Sequence, residues 1–237
     1  MNLVRGSARA LYSIALAAAF LLIGDLAMQT ANAQVQAPAF KLLEATIPEL
    51  QGALAAGRVT SRDLVTMYLA RIAAYDQRGP ALNAISVTND NALTEADARD
   101  AERRTGRSRG LLDAIPVIVK DNYDTSDMQT AAGSQLLAGW RPPDDAYLVT
   151  RLHEAGAIII AKSNMHEFAY GITTVGSLFG ATRNPYAPDR NPGGSSGGTG
   201  AAIAANFAAV GMGSDTCGSI RIPRHTTVSS VSGVRKV

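Results

Sequence analysis

Apolar residues recur at intervals of three and four positions in several parts of the chain, which is the spacing of one face of an α-helix. The clearest series follows Thr60 and consists of Leu64, Val65, Tyr68, Leu69 and Ile72. Thr46 and Thr60 each stand three positions before an acidic residue, and this capping-box pattern begins helices. We therefore predict a short helix after Thr46 that ends at Gly57, and a second helix after Thr60.

Two short runs of branched apolar residues, 115–119 and 157–161, lie between further helical patterns. Each run is too short for a helix and has the composition of a buried strand. Residues 182–199 are rich in Pro, Gly, Asn and Ser and are predicted to form a loop. The other predicted elements are helices at 92–104, 146–155 and 200–209 and a strand at 210–214. This alternation of helices and buried strands predicts an α/β domain.

The composition is that of an ordinary globular domain, with 46% hydrophobic residues, 18% charged residues and a formal net charge of +2. A chain of 237 residues suits one domain with a substantial core. The near-neutral charge provides no basic face, so we expect no nucleic-acid partner. Cys217 is the single cysteine, which excludes an internal disulfide.

Residues 1–33 have the pattern of a secretory signal peptide. Arg5 and Arg9 precede an apolar run at 11–23, and an A-x-A cleavage site ends at Ala33. The apolar run is shorter than the roughly 20 residues that span a bilayer as a helix. We predict cleavage after Ala33, a periplasmic or secreted mature protein, and no stable membrane insertion after cleavage.

A glycine-rich segment near the end of the chain has the composition of a catalytic loop. Ser219 follows Asp215-Thr216-Cys217-Gly218, a predicted tight turn after a strand. Small residues in such a turn let backbone N–H groups converge on one point and bind an oxyanion. We interpret Ser219 as a candidate nucleophile, with Thr216, Cys217 and Gly218 as oxyanion-binding positions.

A serine nucleophile needs a base, and no histidine of the chain lies in a suitable loop. The histidines are His153, His166 and His225, and the sequence around His166 lacks the second histidine of a zinc H-E-x-x-H motif, so we expect no metal site. Lys120 directly follows the apolar run at 115–119, so its amino group is predicted to extend from the end of a buried strand into a cleft. Burial disfavours the charged form of a lysine, which makes Lys120 a candidate base.

The long loop matches two other motifs in part. Residues 193–197 fit the G-x-S-x-G pattern of an esterase, but a nucleophile elbow needs a strand directly before it, and Asn191-Pro192 stands there instead. A Walker A phosphate loop needs Lys-Ser or Lys-Thr after Gly198, and neither follows. The esterase stays an alternative that lacks a suitable histidine.

Three separated segments together resemble the amidase signature family: residues 115–122 with Lys120, residues 191–198 with Ser195, and residues 213–223 with Ser219. The resemblance implies a mixed β-sheet core covered by helices on both faces. It also implies a Ser–cis-Ser–Lys triad, in which Lys120 is the base, Ser195 relays the proton and Ser219 attacks an amide carbonyl.

The resemblance implies further features of the site and the reaction. The Gly194–Ser195 peptide would be cis, and Ser196 would join the substrate-binding site with a hydrogen bond to the lysine. The reaction would hydrolyse a small-molecule amide through an acyl-serine intermediate, without a metal or organic cofactor. A homodimer is left open.

The sequence departs from the family pattern at two places. Cys217 occupies a position where the family usually has glycine, and residues 224–237 retain little similarity to the family pattern. The chain is therefore expected to represent the N-terminal half of the family's fold. Two alternatives to an exported amidase stay open. One is a remnant that keeps the motifs without completing a catalytic site. The other is the A subunit of a glutamyl-tRNA amidotransferase, which residues 164–169 suggest. Export would separate such a protein from aminoacyl-tRNA.

Overall fold

The computed structural model describes residues 40–227 of the chain. The predicted signal peptide and residues 228–237 of the departing end lie outside the described residues, so the inferences drawn from both stay predictions. The helices are α1 (Ile47–Ala55), α2 (Ser61–Tyr75), α3 (Ala92–Arg104), α4 (Tyr147–Glu154), α5 (Gly197–Ala204) and α6 (Arg221–Thr226). The strands are β1 (Ile85–Thr88), β2 (Pro116–Lys120), β3 (Ile158–Ser163), β4 (Val175–Gly176), β5 (Gly180–Ala181) and β6 (Val210–Met212).

A mixed four-stranded sheet forms the centre of the fold, in the order β1–β3–β2–β6. β2 runs parallel to both β3 and β6, whereas β1 runs antiparallel to β3, and β4 and β5 form a separate antiparallel pair. The carboxyl ends of parallel strands meet at the same edge of a sheet. The end of β2 at Lys120 is therefore flanked by the segments that follow β3 and β6.

Side chains alternate between the two faces of β2 and β3, and helices cover both faces. One face packs against α1, α2, α3 and α5, and the other packs against α4. Ile118 and Ile160 belong to the first face, and Val117 and Ile159 to the second. All four side chains are fully buried, and such burial is worth about 1.5–3 kcal/mol for each side chain relative to exposure. The prediction of a mixed sheet with helices on both faces is confirmed.

Both capping boxes form as predicted. The backbone N–H of Glu49 donates to Thr46 Oγ1, and the backbone N–H of Thr46 donates to a Glu49 carboxylate oxygen at 2.8 Å. Thr60 and Asp63 make the same reciprocal pair at the start of α2. These bonds satisfy N–H groups that every helix start leaves without helical partners. α3, α4, β2 and β3 also lie where the sequence predicts them, within three residues at each end.

The sequence-based elements need correction in several places. Residues 197–199 are not loop, because α5 begins at Gly197; it ends at Ala204, five residues before the predicted end. A Cβ on Gly198 would lie 2.0 Å from the Asn164 carbonyl oxygen, so the glycines there permit close helix packing rather than a flexible loop. β6 ends at Met212, two residues before the predicted end. β1, β4, β5 and α6 were not predicted. The three strands have only two to four residues each, and α6 contains Pro223, which usually breaks a helix but is tolerated in its first turn.

Candidate active site

Lys120 ends the central strand β2, and its side chain is fully buried. Its Nζ donates hydrogen bonds to Ser195 Oγ at 2.7 Å and to Ser214 Oγ at 2.8 Å. Burial lowers the pKa of Lys120 to about 8, and the negative charge of Asp215 opposes this shift. A fraction of Lys120 is therefore neutral close to neutral pH, and a neutral amine that contacts a hydroxyl is placed to accept its proton.

Ser195 lies in the loop before α5, and its side chain is fully buried. The Gly194–Ser195 peptide bond is cis, in agreement with the prediction. A Cβ on Gly194 would lie 2.9 Å from the carbonyl carbon of Ile172, so this close approach of two chain segments needs glycine. The backbone N–H of His166 donates to the Ser195 carbonyl oxygen at 3.0 Å. These contacts hold the Ser195 hydroxyl beside Lys120.

Ser219 lies in the turn between β6 and α6 and is half-buried. The backbone N–H of Ser196 donates to the Ser219 carbonyl oxygen at 3.0 Å, which ties the turn to the loop that carries Ser195. Between residues 40 and 227, no hydrogen bond joins the Ser219 hydroxyl to Ser195 or to any other group. The structure thus brings Lys120 and Ser195 into direct contact and places Ser219 next to them through the backbone alone.

Asp215 organises the turn in which the oxyanion-binding positions are predicted. Its carboxylate accepts the backbone N–H groups of Gly218 (2.7 Å), Ile220 (3.2 Å) and Arg221 (3.3 Å), and two bonds from the Arg221 guanidinium at 3.0 Å each. The Arg221 side chain holds the pKa of Asp215 well below its usual range. Asp215 therefore stays ionised, and its hydrogen bonds fix the backbone before and after Ser219.

The Asp215 contacts bear on the predicted oxyanion donors. The Gly218 N–H is bonded to Asp215 in this structure, so it would have to leave that carboxylate to bind an oxyanion, and its predicted role stays a prediction. Thr216 and Cys217 are exposed, and their N–H groups and that of Ser219 have no acceptor within residues 40–227. These three N–H groups remain candidates to bind an oxyanion, because unpaired N–H groups in a turn form an anion-binding concavity.

The hydrogen bond from Ser196 to the lysine that the resemblance implies is not formed among the described residues. The Ser196 hydroxyl donates to the carbonyl oxygen of Ser214 at 3.1 Å and accepts the Ser214 N–H at 3.3 Å. The second hydroxyl at Lys120 belongs instead to Ser214, a residue that the sequence-based prediction missed. Ser214 follows β6, which pairs with β2 so that Met212 lies opposite Val119. The parallel pairing of these two strands was the signal that could have identified it.

A second buried lysine lies beside β2. Lys162 on β3 is fully buried and donates to Thr130 Oγ1 at 2.5 Å and to the Gln129 carbonyl oxygen at 2.8 Å. Its Nζ lies 3.6 Å from a carboxylate oxygen of Asp121, which is also fully buried. The other oxygen of Asp121 accepts the N–H of Gly133 at 3.1 Å.

Burial shifts both groups of this pair toward their neutral forms. It raises the pKa of Asp121 and lowers that of Lys162 to about 8, and each charge opposes the shift of the other. In β2 and β3 alternate side chains point to opposite faces, so Lys120 and Asp121 point to opposite sides of the sheet. The Asp121–Lys162 pair therefore lies behind the candidate site and does not belong to it.

No histidine side chain makes a hydrogen bond to Lys120 Nζ or to the Ser195 hydroxyl among residues 40–227. His153 on α4 has its Nε2 3.7 Å from an Asp145 carboxylate oxygen, and His166 Nδ1 lies 3.3 Å from Thr173 Oγ1. Across residues 40–227 no group of three or more His, Cys, Asp or Glu side chains is arranged to hold a metal ion. Over the same part of the chain, no helix combines the length and the apolar character needed to cross a membrane.

The chain is similar to proteins of known sequence and structure over most of its length. The family model described as Amidase matches residues 63–235. The A subunit of the glutamyl-tRNA(Gln) amidotransferase of Thermobifida fusca is 45% identical over 183 residues, which are 77% of this chain and 36% of that protein. The native peptide amidase of Stenotrophomonas maltophilia is 47% identical, with a TM-score of 0.75 over 76% of this chain and 38% of that one.

A more distant structure, that of 6-aminohexanoate cyclic dimer hydrolase complexed with substrate, has a TM-score of 0.69 at 28% identity. It matches 78% of this chain and 36% of its own. The chain thus spans less than half the length of each of these three relatives.

Proposed function

The chain belongs to the amidase family, and from this premise we propose that it carries the catalytic residues of an enzyme that hydrolyses a carboxylic amide through an acyl-serine intermediate. The observation that supports this most directly is the 2.7 Å contact between Lys120 Nζ and Ser195 Oγ in a fully buried setting. A serine nucleophile needs a base, and a lysine whose pKa is lowered by burial can serve as one. In the described residues the Ser195 hydroxyl is hydrogen-bonded to Lys120 and to no histidine side chain.

In the proposed reaction Ser219 Oγ forms a bond to the amide carbonyl carbon. Its proton passes to Ser195 Oγ as the Ser195 proton passes to the neutral amine of Lys120. The carbonyl electrons move to the oxygen, where the N–H groups of Thr216, Cys217 and Ser219 are the candidate donors. Collapse of this intermediate breaks the C–N bond, and the proton returns through Ser195 to the leaving nitrogen. Water then removes the acyl group by the same relay.

This reaction requires the Ser219 hydroxyl to reach Ser195. Hydrogen bonds of catalytic groups are often long or absent without substrate and form only in the complex. The bond from Ser196 N–H to the Ser219 carbonyl oxygen keeps the two loops adjacent. Rotation of the Ser219 side chain is therefore the movement that we expect to bring its hydroxyl to Ser195. We propose that substrate binding completes the relay in this way.

The proposal is tested by treating the full chain with a fluorophosphonate probe and locating the label by mass spectrometry. A label on Ser219 supports the proposed nucleophile. A label on Ser195 would favour the G-x-S-x-G esterase. The absence of any label from folded protein would favour the remnant that keeps the motifs without a working site.

The identity to the amidotransferase component is 45% and that to the peptide amidase is 47%, so similarity alone does not choose between them. We favour a hydrolase, with an amide such as that of a peptide as substrate, because the sequence of residues 1–33 predicts export. Protein that is found outside the cytoplasm and begins at Gln34 would support this choice. Retention of residues 1–33 in a cytoplasmic protein would favour the amidotransferase.

We expect the rate of Ser219 acylation to depend on pH through Lys120. Only the unprotonated amine accepts a proton, and the pKa of Lys120 is about 8. The rate should therefore rise about tenfold per pH unit below that value and level off above it. Probe labelling from about pH 6 to about pH 10 measures this profile, with circular dichroism as the control for folding. A rate that falls as pH rises from 7 to 8 would contradict Lys120 as the base.

A further inference from the structure

Lys120 has two hydroxyl partners, and the proposed relay uses only one of them. Ser195 Oγ lies 2.7 Å and Ser214 Oγ 2.8 Å from Lys120 Nζ. Ser214 Oγ also accepts a hydrogen bond from Asn122 Nδ2 at 3.1 Å. Because a serine oxygen has two acceptor sites, these two donors fill both of them. The hydrogen bond from Asn122 leaves one acceptor site of Ser214 Oγ for an N–H of Lys120, whereas Ser195 Oγ has no hydrogen-bond partner but Lys120 among the described residues.

The backbone fixes Ser214 relative to Ser195. Ser196, the next residue after Ser195, donates its hydroxyl to the Ser214 carbonyl oxygen at 3.1 Å and accepts the Ser214 N–H at 3.3 Å. The pairing of β2 with β6 brings the Ser214 end of β6 alongside Lys120. The two hydroxyls that contact Lys120 are thus tied to each other through one intervening residue and to the lysine through adjacent strands.

We propose that Ser214 is a positioning residue for Lys120, holding one N–H of the neutral amine so that the nitrogen lone pair faces the Ser195 hydroxyl. This inference rests on the acyl transfer proposed above. A neutral amine has two N–H groups and one lone pair. An N–H fixed on Ser214 restricts rotation about the Cε–Nζ bond, and the lone pair stays available to take the proton that Ser195 releases as Ser219 bonds to the carbonyl carbon.

Other charged and titratable groups surround this arrangement. Asp215 follows Ser214 and opposes the effect of burial on Lys120, but its carboxylate is bound by Arg221. Tyr123 donates its hydroxyl to the Gly213 carbonyl oxygen at 2.8 Å. Asp121 and Lys162 lie on the opposite face of the sheet. None of these groups makes a hydrogen bond to Lys120 Nζ among residues 40–227, so Ser214 is the partner to vary.

The test compares Ser214→Ala with Ser214→Thr, which keeps the hydroxyl. We expect Ser214→Ala to lower the limiting rate of fluorophosphonate labelling above pH 8 by about tenfold, with little change in the probe concentration for half-maximal rate. Ser214→Thr should restore most of the rate. Ser163→Ala is the matched control, because Ser163 lies opposite Lys120 in β3 but its hydroxyl contacts Thr199 at 2.6 Å, so we expect a rate within about twofold of the parent.

A second measurement separates orientation from basicity. Carbon-13 NMR at Cε, with the signal assigned by its loss in Lys120→Met, follows the titration of Lys120 directly. An ammonium group loses more than a neutral amine when an acceptor is removed, so the midpoint should fall in Ser214→Ala. More neutral base with a slower limiting rate is the result that orientation predicts, whereas a change in basicity alone would raise the rate near neutral pH.

Three results would overturn the proposal: an unchanged limiting rate in Ser214→Ala, a Ser214→Thr variant as slow as Ser214→Ala, or a Lys120 titration unaffected by Ser214→Ala. If the parent chain takes no label on Ser219, the acyl-transfer function fails separately. The Lys120 titration then decides whether Ser214 holds the amine, because it requires no turnover.

Discussion

Lys120→Met is expected to lower the acylation rate of Ser219 by about 10³-fold or more while leaving the folded state at least as stable as the parent. Methionine has a similar length and no proton to exchange, so Ser195 loses its acceptor. At the same time, a buried amine with a pKa lowered from 10.5 to about 8 destabilises the fold at pH 7. The difference corresponds to about 3 kcal/mol, partly offset by the hydrogen bonds to Ser195 and Ser214.

The sign of this effect can be checked against pH. The folded protein binds fewer protons at Lys120 than the unfolded chain between pH 8 and 10.5, so in the parent this residue's contribution to stability improves as pH rises through that range. Below pH 8 the destabilisation is fully present. Lys120→Met should therefore gain most in free energy of unfolding below pH 8, as measured by chemical denaturation, and the gain should shrink toward pH 10.5.

Lys120→Arg is the matched control, because arginine keeps a positive charge but does not release its proton at these pH values. We expect this variant to be as inactive as Lys120→Met and to be less stable. Lys120→Arg protein that labels within about tenfold of the parent would show that charge, not proton transfer, is what the position supplies.

Lys120, Ser195 and Ser219 could be proposed from the sequence because three separated segments together resemble one family, whereas Ser214 could not. Lys120 ends an apolar run, and Ser195 and Ser219 lie in glycine-rich segments. The contacts that those residues make could not be identified in the same way. Ser196 bonds the backbone of Ser214, 18 positions away, and that choice depends on how the loop before α5 meets the end of β6.

Local chemistry likewise explains which parts of the fold were predictable. The reciprocal bonds of Thr46 and Thr60 span only three positions, so the sequence contains all that is needed to predict the starts of α1 and α2. β1, in contrast, is held by β3, whose residues lie more than 70 positions further along the chain. The glycines that begin α5 resemble a loop until the contact of Gly198 with Asn164 is known.

The Asp121–Lys162 pair was missed for a related reason. Nothing in the local sequence shows that these two residues meet, because the contact depends on the register in which Val119 lies opposite Lys162. Once that register is known, the two side chains must share one face of the sheet. Both side chains are fully buried, so each charge is compensated by the charge of the other and not by water.

Lys162→Met is accordingly expected to have the opposite effect from Lys120→Met on the same strand pair. Removing one partner of a buried ion pair typically costs about 3–5 kcal/mol, because the other charge is left without compensation. Here the remaining group is Asp121, of which one carboxylate oxygen has no hydrogen bond within the described residues even in the parent. We expect a fall of this size in the free energy of unfolding near pH 7, measured by chemical denaturation.

The double variant Lys162→Met with Asp121→Asn is the test of that explanation. Asparagine removes the charge but keeps an oxygen to accept the Gly133 N–H, so the double variant should recover more than half of the lost stability. The single variant should also regain stability toward acid pH, because the pKa of Asp121 is raised by burial and rises further without Lys162. A folded carboxyl that binds its proton more tightly than the unfolded one stabilises the protein below its ordinary pKa and loses that contribution as pH rises through the folded value. Equal instability of the single and double variants, with no dependence on pH, would mean that lost packing around Lys162, rather than an uncompensated Asp121, accounts for the effect.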